Sequence, residues 1–320
     1  MAAVPGELVA VESEGVGARP DGSAPTPGRR VWREMRTSPA VILSALFILL
    51  ISLMAIFAPL VVRLSGWGPY EFDPEAINPD LGGLPIGPGG GIGGDHWFGV
   101  EPGSGRDIFA RIVYGARVSL AIAGSATLIT ITLGVVFGML AGFFGGWVDQ
   151  VVSRVMDFLM AFPTLIFMIA VLSALPAGNR PLLLVVILSI FGWPYTARVI
   201  RGQTMSLRNA EFVEAAYASG AKPFRIAIRE VLPNLRGTII VLATLSVPSY
   251  IGTEAGLSFL GVGVTPPTPS WGQMISQAVS WYSTNPMFFI IPGTFLFLTV
   301  LSFTLIGDKL RDSLDAGDAA

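Results

Sequence analysis

Six long apolar runs constrain this chain more than any other feature of it. The hydrocarbon core of a bilayer is about 30 Å thick and takes about 20 residues of helix to cross. Runs of that order lie at 41–64, about 118–143, about 151–175, 181–200, about 238–257 and about 287–307. In lipid every backbone polar group must be satisfied within the segment, so such runs form helices. The expectation is an all-α integral membrane protein with six transmembrane helices. Pro163 and Pro194 fall inside the third and fourth runs and predict kinks there. Only 13% of the residues are charged, against about 25% in an ordinary soluble domain.

The placement of basic residues sets the orientation. Arg29, Arg30, Arg33 and Arg36 precede the first run and put the N-terminus in the cytoplasm. Counting six spans then puts 65–117 outside, 201–237 inside, 258–286 outside and the C-terminus inside. Arg198, Arg201, Arg208, Lys222, Arg225, Arg229 and Arg236 cluster around the fourth-to-fifth connection, and Lys309 and Arg311 follow the sixth run. Both groups land on the cytoplasmic side, which an odd number of spans would not give. Residues 1–28 are rich in Gly, Pro, Ala and acids, lack the apolar stretch of a cleavable signal, and read as disordered. The expected organisation is a cytoplasmic tail at 1–36, a first transmembrane helix at 37–64, and an outer loop at 65–117. A core membrane domain at 118–307 and a cytoplasmic tail at 308–320 complete it.

Inside that core domain, residues 209–234 form a polar island. Asn209 is a good N-cap residue, and Glu211 and Glu214 sit in the first turns, where the helix dipole favours carboxylates. Ala210, Ala215, Ala216 and Ala218 make a strong helix of little bulk, and Gly220 should end it. Pro223 opens a second short helix, Phe224 to Val231, which Pro233 should stop. A plain connection between spans is short. A capped helix–turn–helix knob of small residues instead suits docking into a groove on another protein.

Much chemistry is excluded. There is no cysteine and one histidine, His96, so there is no thiolate site and no two-histidine metal site. Neither lysine, Lys222 or Lys309, stands in a phosphate-cradling Gly-x-x-x-x-Gly-Lys pattern. No catalytic cluster is evident, and the net charge of −2 gives no reason to expect nucleic acid.

Three smaller features have two readings each, and others have one. Arg154 and Asp157, at i and i+3, can pair as an interfacial ion pair or form part of a gate. Glu254, between Gly252 and Gly256, either faces a translocation path or anchors a loop. His96 is a ligand or a structural loop residue. Gly134, Gly138 and Gly142 repeat every four residues and suit close helix packing. Trp271, Trp281 and Tyr282 read as interfacial aromatics. Ile108, Phe109, Ile112 and Val113 suggest an amphipathic helix lying along the membrane before the second span.

The 209–234 segment resembles the signature of the membrane subunits of type I ABC importers, at Glu214, Ala215, Ala216, Gly220, Leu232 and Pro233. Glu230 departs from it, standing where the broad pattern has isoleucine. Further motifs narrow the resemblance to the second-subunit type of the dipeptide, oligopeptide and nickel permeases. They are His96–Gly99, Gly105-Arg106-Asp107, Gly115–Leu120, Ala161-Phe162-Pro163, Leu257–Gly261, Pro266–Gly272 and Gly307–Asp312, and together they cover about 30–315. The resemblance implies a type I importer transmembrane fold in a prokaryotic cell membrane, with both termini cytoplasmic. It also implies a cytoplasmic coupling helix that engages an ATP-binding subunit through Glu211, Glu214, Ala215, Ala216, Gly220, Leu232 and Pro233. The implied partners are a second, homologous permease subunit, two cytoplasmic ATP-binding subunits and an extracytoplasmic substrate-binding protein, with ATP and Mg held by the ATPases. The chain would be a permease subunit without enzymatic activity, moving peptides or related small solutes by alternating access. The competing reading is a secondary transporter or channel that needs no ATPase. It expects several membrane-buried ionisable residues, and Glu254 is the main one here.

Overall fold

A computed structural model describes residues 38–176 and 178–318. The basic cluster at 29–36 and the expected disorder of 1–28 lie outside the described residues. The fold is helical throughout: α1 (Pro39–Ile56), α2 (Ala58–Val62), α3 (Ile108–Phe144), α4 (Gly146–Met160), α5 (Thr164–Ala174), α6 (Arg180–Leu207), α7 (Glu211–Ala218), α8 (Pro223–Phe259), α9 (Trp271–Ala278) and α10 (Met287–Asp318). Its strands, β1 (Ile77–Asn78) and β2 (Leu84–Pro85), pair antiparallel in the 65–107 segment. That segment caps one end of the bundle and α7 the other. These are the cap end and the knob end below.

Among the described residues five helices are long and apolar enough to cross a membrane, and six if one bent pair counts as a span. The bent pair is the expected third span. Met160 and Thr164 flank Ala161-Phe162-Pro163, and α4 and α5 meet there at 80°. Proline removes one donor and restricts the residue before it, so the helix stops instead of bending. Each half is about 15–25 Å long, too short to cross alone.

Other expectations also change. The second span does not follow an amphipathic surface helix. Ile108, Phe109, Ile112 and Val113 are buried in the first turns of one 37-residue helix, α3, so the loop expected at 65–117 ends at Asp107. The first run breaks at Phe57, between α1 and α2. The sixth continues past Gly307 to Asp318. Pro194 stays inside α6. Trp271 is wholly buried, its indole N–H donating to the Ile112 carbonyl at 3.2 Å, so it is a core residue of the cap end and not an interfacial aromatic.

Three of the apolar cores among the described residues follow one another along the bundle. At the cap end Ile108, Ile112, Met274 and Phe288 gather around Trp271. In the middle Ile122, Ala126, Leu184, Leu188 and Ile251 join α3, α6 and α8. At the knob end Met139, Phe143, Ile200, Val213, Ile226, Val231 and Leu235 join α3, α6, α7 and α8. The glycine repeat works as expected from its spacing. Gly134, Gly138 and Gly142 bring α3 against the backbone and side chains of α6 between Thr196 and Thr204.

Candidate functional site

At the knob end the chain turns twice within 15 residues. The cap of α7 is Ala210 in extended conformation, with no side-chain cap bond. Asn209 therefore does not cap it. Its N–H still bonds the Ser206 carbonyl, in the turn that closes α6. Glu211 and Glu214 occupy the first turn and point outward with Ala215. Val213, fully buried, pins the opposite face, and Ala216 packs beside it.

The C-terminal cap is as the sequence indicates. Gly220 has φ +77°, in the left-handed region, where a side chain costs about 1–2 kcal/mol. The Gly220 N–H reaches Tyr217 O at 2.9 Å and the Ala221 N–H reaches Ala216 O at 3.1 Å, a paired closing arrangement that satisfies the last carbonyls.

The second helix differs from the sequence reading. Pro223 opens it, but Pro233 does not close it. Between Ala227 and Val231 the helix widens to π geometry, and it then runs on to Phe259. The wide turn makes room for the proline ring, and Pro233 falls in the first turn of the resumed α-helix, where a missing N–H is tolerated. The Asn234 amide donates to the Glu230 carbonyl at 2.6 Å. Leu232 is half-buried in the knob-end core, and Pro233 and Glu230 are exposed. The second helix of the knob is thus the end of a single 37-residue rod, about 55 Å long.

Beside the knob, α4 is held to α6 by ion pairs. Asp157 pairs with Arg198 at 2.6 Å, not with Arg154 on its own helix. Asp149 takes a two-pronged contact from Arg201, through Nε and through Nη2, the latter at 2.7 Å. Arg154 lines a cleft of about 900 Å³ with Asp149, Ser153, Asp157 and Arg201. The sequence reading expects these arginines in a cytoplasmic cluster. Their partners lie 41 and 52 residues away, a distance that spacing rules for one helix do not reach.

Toward the cap end, Glu254 is fully enclosed. Its carboxylate accepts from Ser119 at 3.0 Å and Ser258 at 2.7 Å, and the Ser258 hydroxyl accepts from the Val264 N–H at 2.9 Å. This is the anchoring geometry. Glu254 stitches α8 to α3 and holds the loop that follows α8.

The cap is bound in the same way. Glu101 pairs with Arg106 at 2.7 Å and with the buried Arg111. Arg111 also donates to Pro69 O at 3.2 Å, Pro267 O at 3.3 Å and Gln273 Oε1 at 3.0 Å, joining the 65–107 segment and the loop after α8 to α3 and α9. His96 is buried, with Nδ1 2.9 Å from Asp107 and Nε2 3.1 Å from Asp73, so both ring nitrogens are already engaged. Burial holds the Asp107 carboxyl above its ordinary value, against the Ala110 N–H and His96 bonds that lower it. At Asp73 burial also raises the value, but bonds from His96 and from the Glu75 and Ala76 N–H groups outweigh it and the net shift is downward. No group of three His, Asp or Glu side chains among the described residues could hold a metal ion.

Residues 134–317 match the family model described as "Binding-protein-dependent transport system inner membrane component". Residues 26–81 match that of the "N-terminal TM domain of oligopeptide transport permease C". A glutathione transport system permease protein, GsiD of Pectobacterium atrosepticum, is 37% identical over 92% of this chain and 93% of its own length. The oligopeptide transport system permease protein OppC of Bacillus subtilis is 36% identical over 89% of each. The methionine ABC transporter MetNI, in an inward-facing crystal structure, shares the fold over 64% of this chain and 97% of the matched chain. Its TM-score is 0.52 and its identity 18%.

Proposed function

The chain belongs to the family of inner membrane components of binding-protein-dependent transport systems, and on that premise we propose that it is a permease half of an ATP-driven peptide importer, coupled through α7. The single observation that carries this reading is the knob. An Ala-rich helix, with Glu211, Glu214 and Ala215 turned outward, is closed by Gly220 and fused to a rod that runs the length of the bundle. A coupling element must be stiff, or it would absorb the stroke it is meant to pass on. The knob-end core, with Val213, Ile226 and Val231 buried beneath α7 and the start of α8, supplies that stiffness.

In this reading the knob end and both termini are cytoplasmic. A second, similar permease subunit completes the path. Two ATP-binding subunits, which hold ATP and Mg, bear on Glu211, Glu214, Ala215, Ala216 and Gly220, with Leu232 and Pro233 at the root of the rod. The cap end receives solute from a binding protein. Peptides or related solutes are the class supported by relatives named for glutathione and oligopeptide transport.

The test is reconstitution in vesicles with the partner subunits and binding protein, using glutathione and trialanine as probes. The parent complex takes up at least one of them and hydrolyses ATP faster with loaded binding protein. Gly220→Val strains the left-handed turn and lowers uptake at least tenfold. Uptake by this chain without any ATPase would overturn the reading in favour of a secondary transporter.

A further inference from the structure

The motif Gly307–Asp312 stands where α10 leaves the bilayer. The apolar run of this helix ends near 307, yet the helix goes on for about three more turns, to Asp318. Gly307 is buried and Leu310 and Leu314 are half-buried on one side of it, while Asp308, Arg311 and Asp312 are exposed.

That side carries a regular seam. Leu296, Val300 and Phe303 pack into the middle core, which Val247 and Ile251 of α8 also join. Gly307, Leu310 and Leu314 follow at the same alternation of three and four residues, the repeat of a two-helix seam. At Gly307 the two helices are close, and a methyl group built there would lie 2.5 Å from Leu245 Cδ2. Further out, both terminal methyls of Leu314 lie over Gly237, 3.7 Å from the position a Cβ would take. From Gly307 to Leu314 is about 10.5 Å of α10, and from Leu245 back to Gly237 is about 12 Å of α8. The two lengths match, so the antiparallel helices stay in register as far as Leu314.

The position of this contact on the rod gives it a use. About 20 residues of α8 up to Phe259 fill the hydrocarbon core, so the core begins near 240 and Gly237 lies just outside it. From Gly237 the rod projects about 21 Å further, to Pro223. One side of this stretch is held by the knob-end core, through Ile226, Val231 and Leu235. Residues two apart on a helix point about 200° apart, so Gly237 faces away from Leu235, and Leu314 holds the opposite side. A contact on one face resists a push towards it and opens under a pull away from it. Contacts on opposite faces resist both.

We propose that the tail of α10, residues 308–314, is a brace for the coupling rod, with Leu314 on Gly237 as its positioning contact, so that α8 and α10 move as one body when the knob is displaced. This rests on the coupling role proposed for α7. It adds the element that carries the stroke onward, because α10 returns to the cap-end core through Phe288.

The test uses the full complex in vesicles, with glutathione and trialanine as probes, and reads solute taken up per ATP hydrolysed. Leu314→Ser should leave co-purification of the ATP-binding subunits and basal hydrolysis near the parent's. It should lower uptake per ATP at least about fivefold, the low end of coupling between sites. Leu314→Met, which refills the seat, should keep the parental ratio. A parental ratio in Leu314→Ser overturns the proposal. If hydrolysis and uptake fall together at a constant ratio, the contact serves folding alone and the proposal also fails. The chain has no cysteine, so Gly237→Cys with Leu314→Cys, beside cysteine-free partners, can be joined by dibromobimane. The joined complex should transport as fast as the unjoined double variant. Loss of uptake on joining means that the helices slide past one another, which overturns the one-body motion. Gly220→Val separates the brace from its premise. If it uncouples while Leu314→Ser couples normally, only the brace is wrong. If neither changes coupling, the role proposed for α7 fails as well.

Discussion

Replacing Gly138 by alanine tests the close packing of α3 on α6. A methyl group built there would lie 2.6 Å from the Ala197 carbonyl oxygen and 2.9 Å from Ile200 Cβ. Ordinary contact begins near 3.4 Å. The helices must therefore part by about 0.8 Å, and the nearest obstacle is backbone, which cannot swing aside. A gap of 0.5–1 Å forfeits about a quarter to a half of each dispersion contact, and a buried side chain makes tens of contacts of about 0.1–0.2 kcal/mol. Spread along the interface, this amounts to about 1–3 kcal/mol, the usual range for overpacking. Alanine also recovers up to about 1 kcal/mol of helix propensity, so the single variant underestimates the clash. Gly124→Ala supplies the reference, because nothing lies within 4 Å of its added methyl. Both variants gain the propensity term, and their difference isolates the clash. Unfolding in mixed detergent and SDS should place Gly138→Ala below Gly124→Ala by about 1–3 kcal/mol. Equal stability would refute the packing argument, and with it the reading of the glycine repeat as a helix seam.

Two further outcomes follow from buried groups at the cap end. Glu254→Ala leaves the Ser119 and Ser258 hydroxyls without their acceptor and should cost about 1–3 kcal/mol. Because the carboxylate is enclosed, both Glu254→Ala and Glu254→Gln should alter uptake of free and N-acetylated trialanine alike. A selective loss for the free ammonium form would put Glu254 on the path after all. The cap should also respond to pH in two directions. Asp107, raised by burial, takes up its proton in the folded state first, so stability rises as pH falls toward its ordinary value of 3.8. Asp73, lowered, contributes stability that is present above 3.8 and is lost as pH falls through its folded value. Hydrogen exchange across 73–107 should therefore be slowest near pH 3.8, where the Asp107 gain is complete and the Asp73 loss begins, after correction for the intrinsic rate. A steady rise in corrected exchange from neutral pH downward would contradict this.

The sequence carried the helices and the place of the knob because both depend on local signals: run length, proline, glycine and charge. It misled where a local signal has a second solution. Pro163 and Pro233 are both helix breakers by composition. At Pro163 the chain breaks by 80°, whereas at Pro233 a π turn absorbs the ring and the helix runs on. Nothing in the run at 227–231 distinguishes the two outcomes. The difference comes from what lies beneath: Ile226, Val231 and Leu235 are buried in the knob-end core and hold that segment helical. Ile108 to Val113 misled for the opposite reason. Their pattern is amphipathic, but cap and neighbouring helices cover the whole turn, including Arg111. Partners distant in sequence were out of reach altogether. Asp157 sits three residues from Arg154, yet bonds Arg198 across the bundle.

The two ends of the bundle are held by different kinds of contact. At the cap end the seams are buried: Glu254 with two serines, Arg111 with Glu101 and three further acceptors, and Trp271 with the Ile112 carbonyl. Removing one partner from such a group strands a desolvated polar atom and costs several-fold more than an exposed contact. At the knob end α4 is tied to α6 by Asp157–Arg198, in which both side chains are about half exposed, and by the partly exposed Asp149–Arg201. Exposed pairs of this kind are worth roughly 0–1 kcal/mol each. The break before Thr164 also frees α4 from α5, so no continuous helix carries load from α4 to the cap end. A force applied at the knob therefore meets a stiff rod in α8, a sealed cap at its far end, and a weak seam beside it. Of these three, the α4–α6 seam yields first.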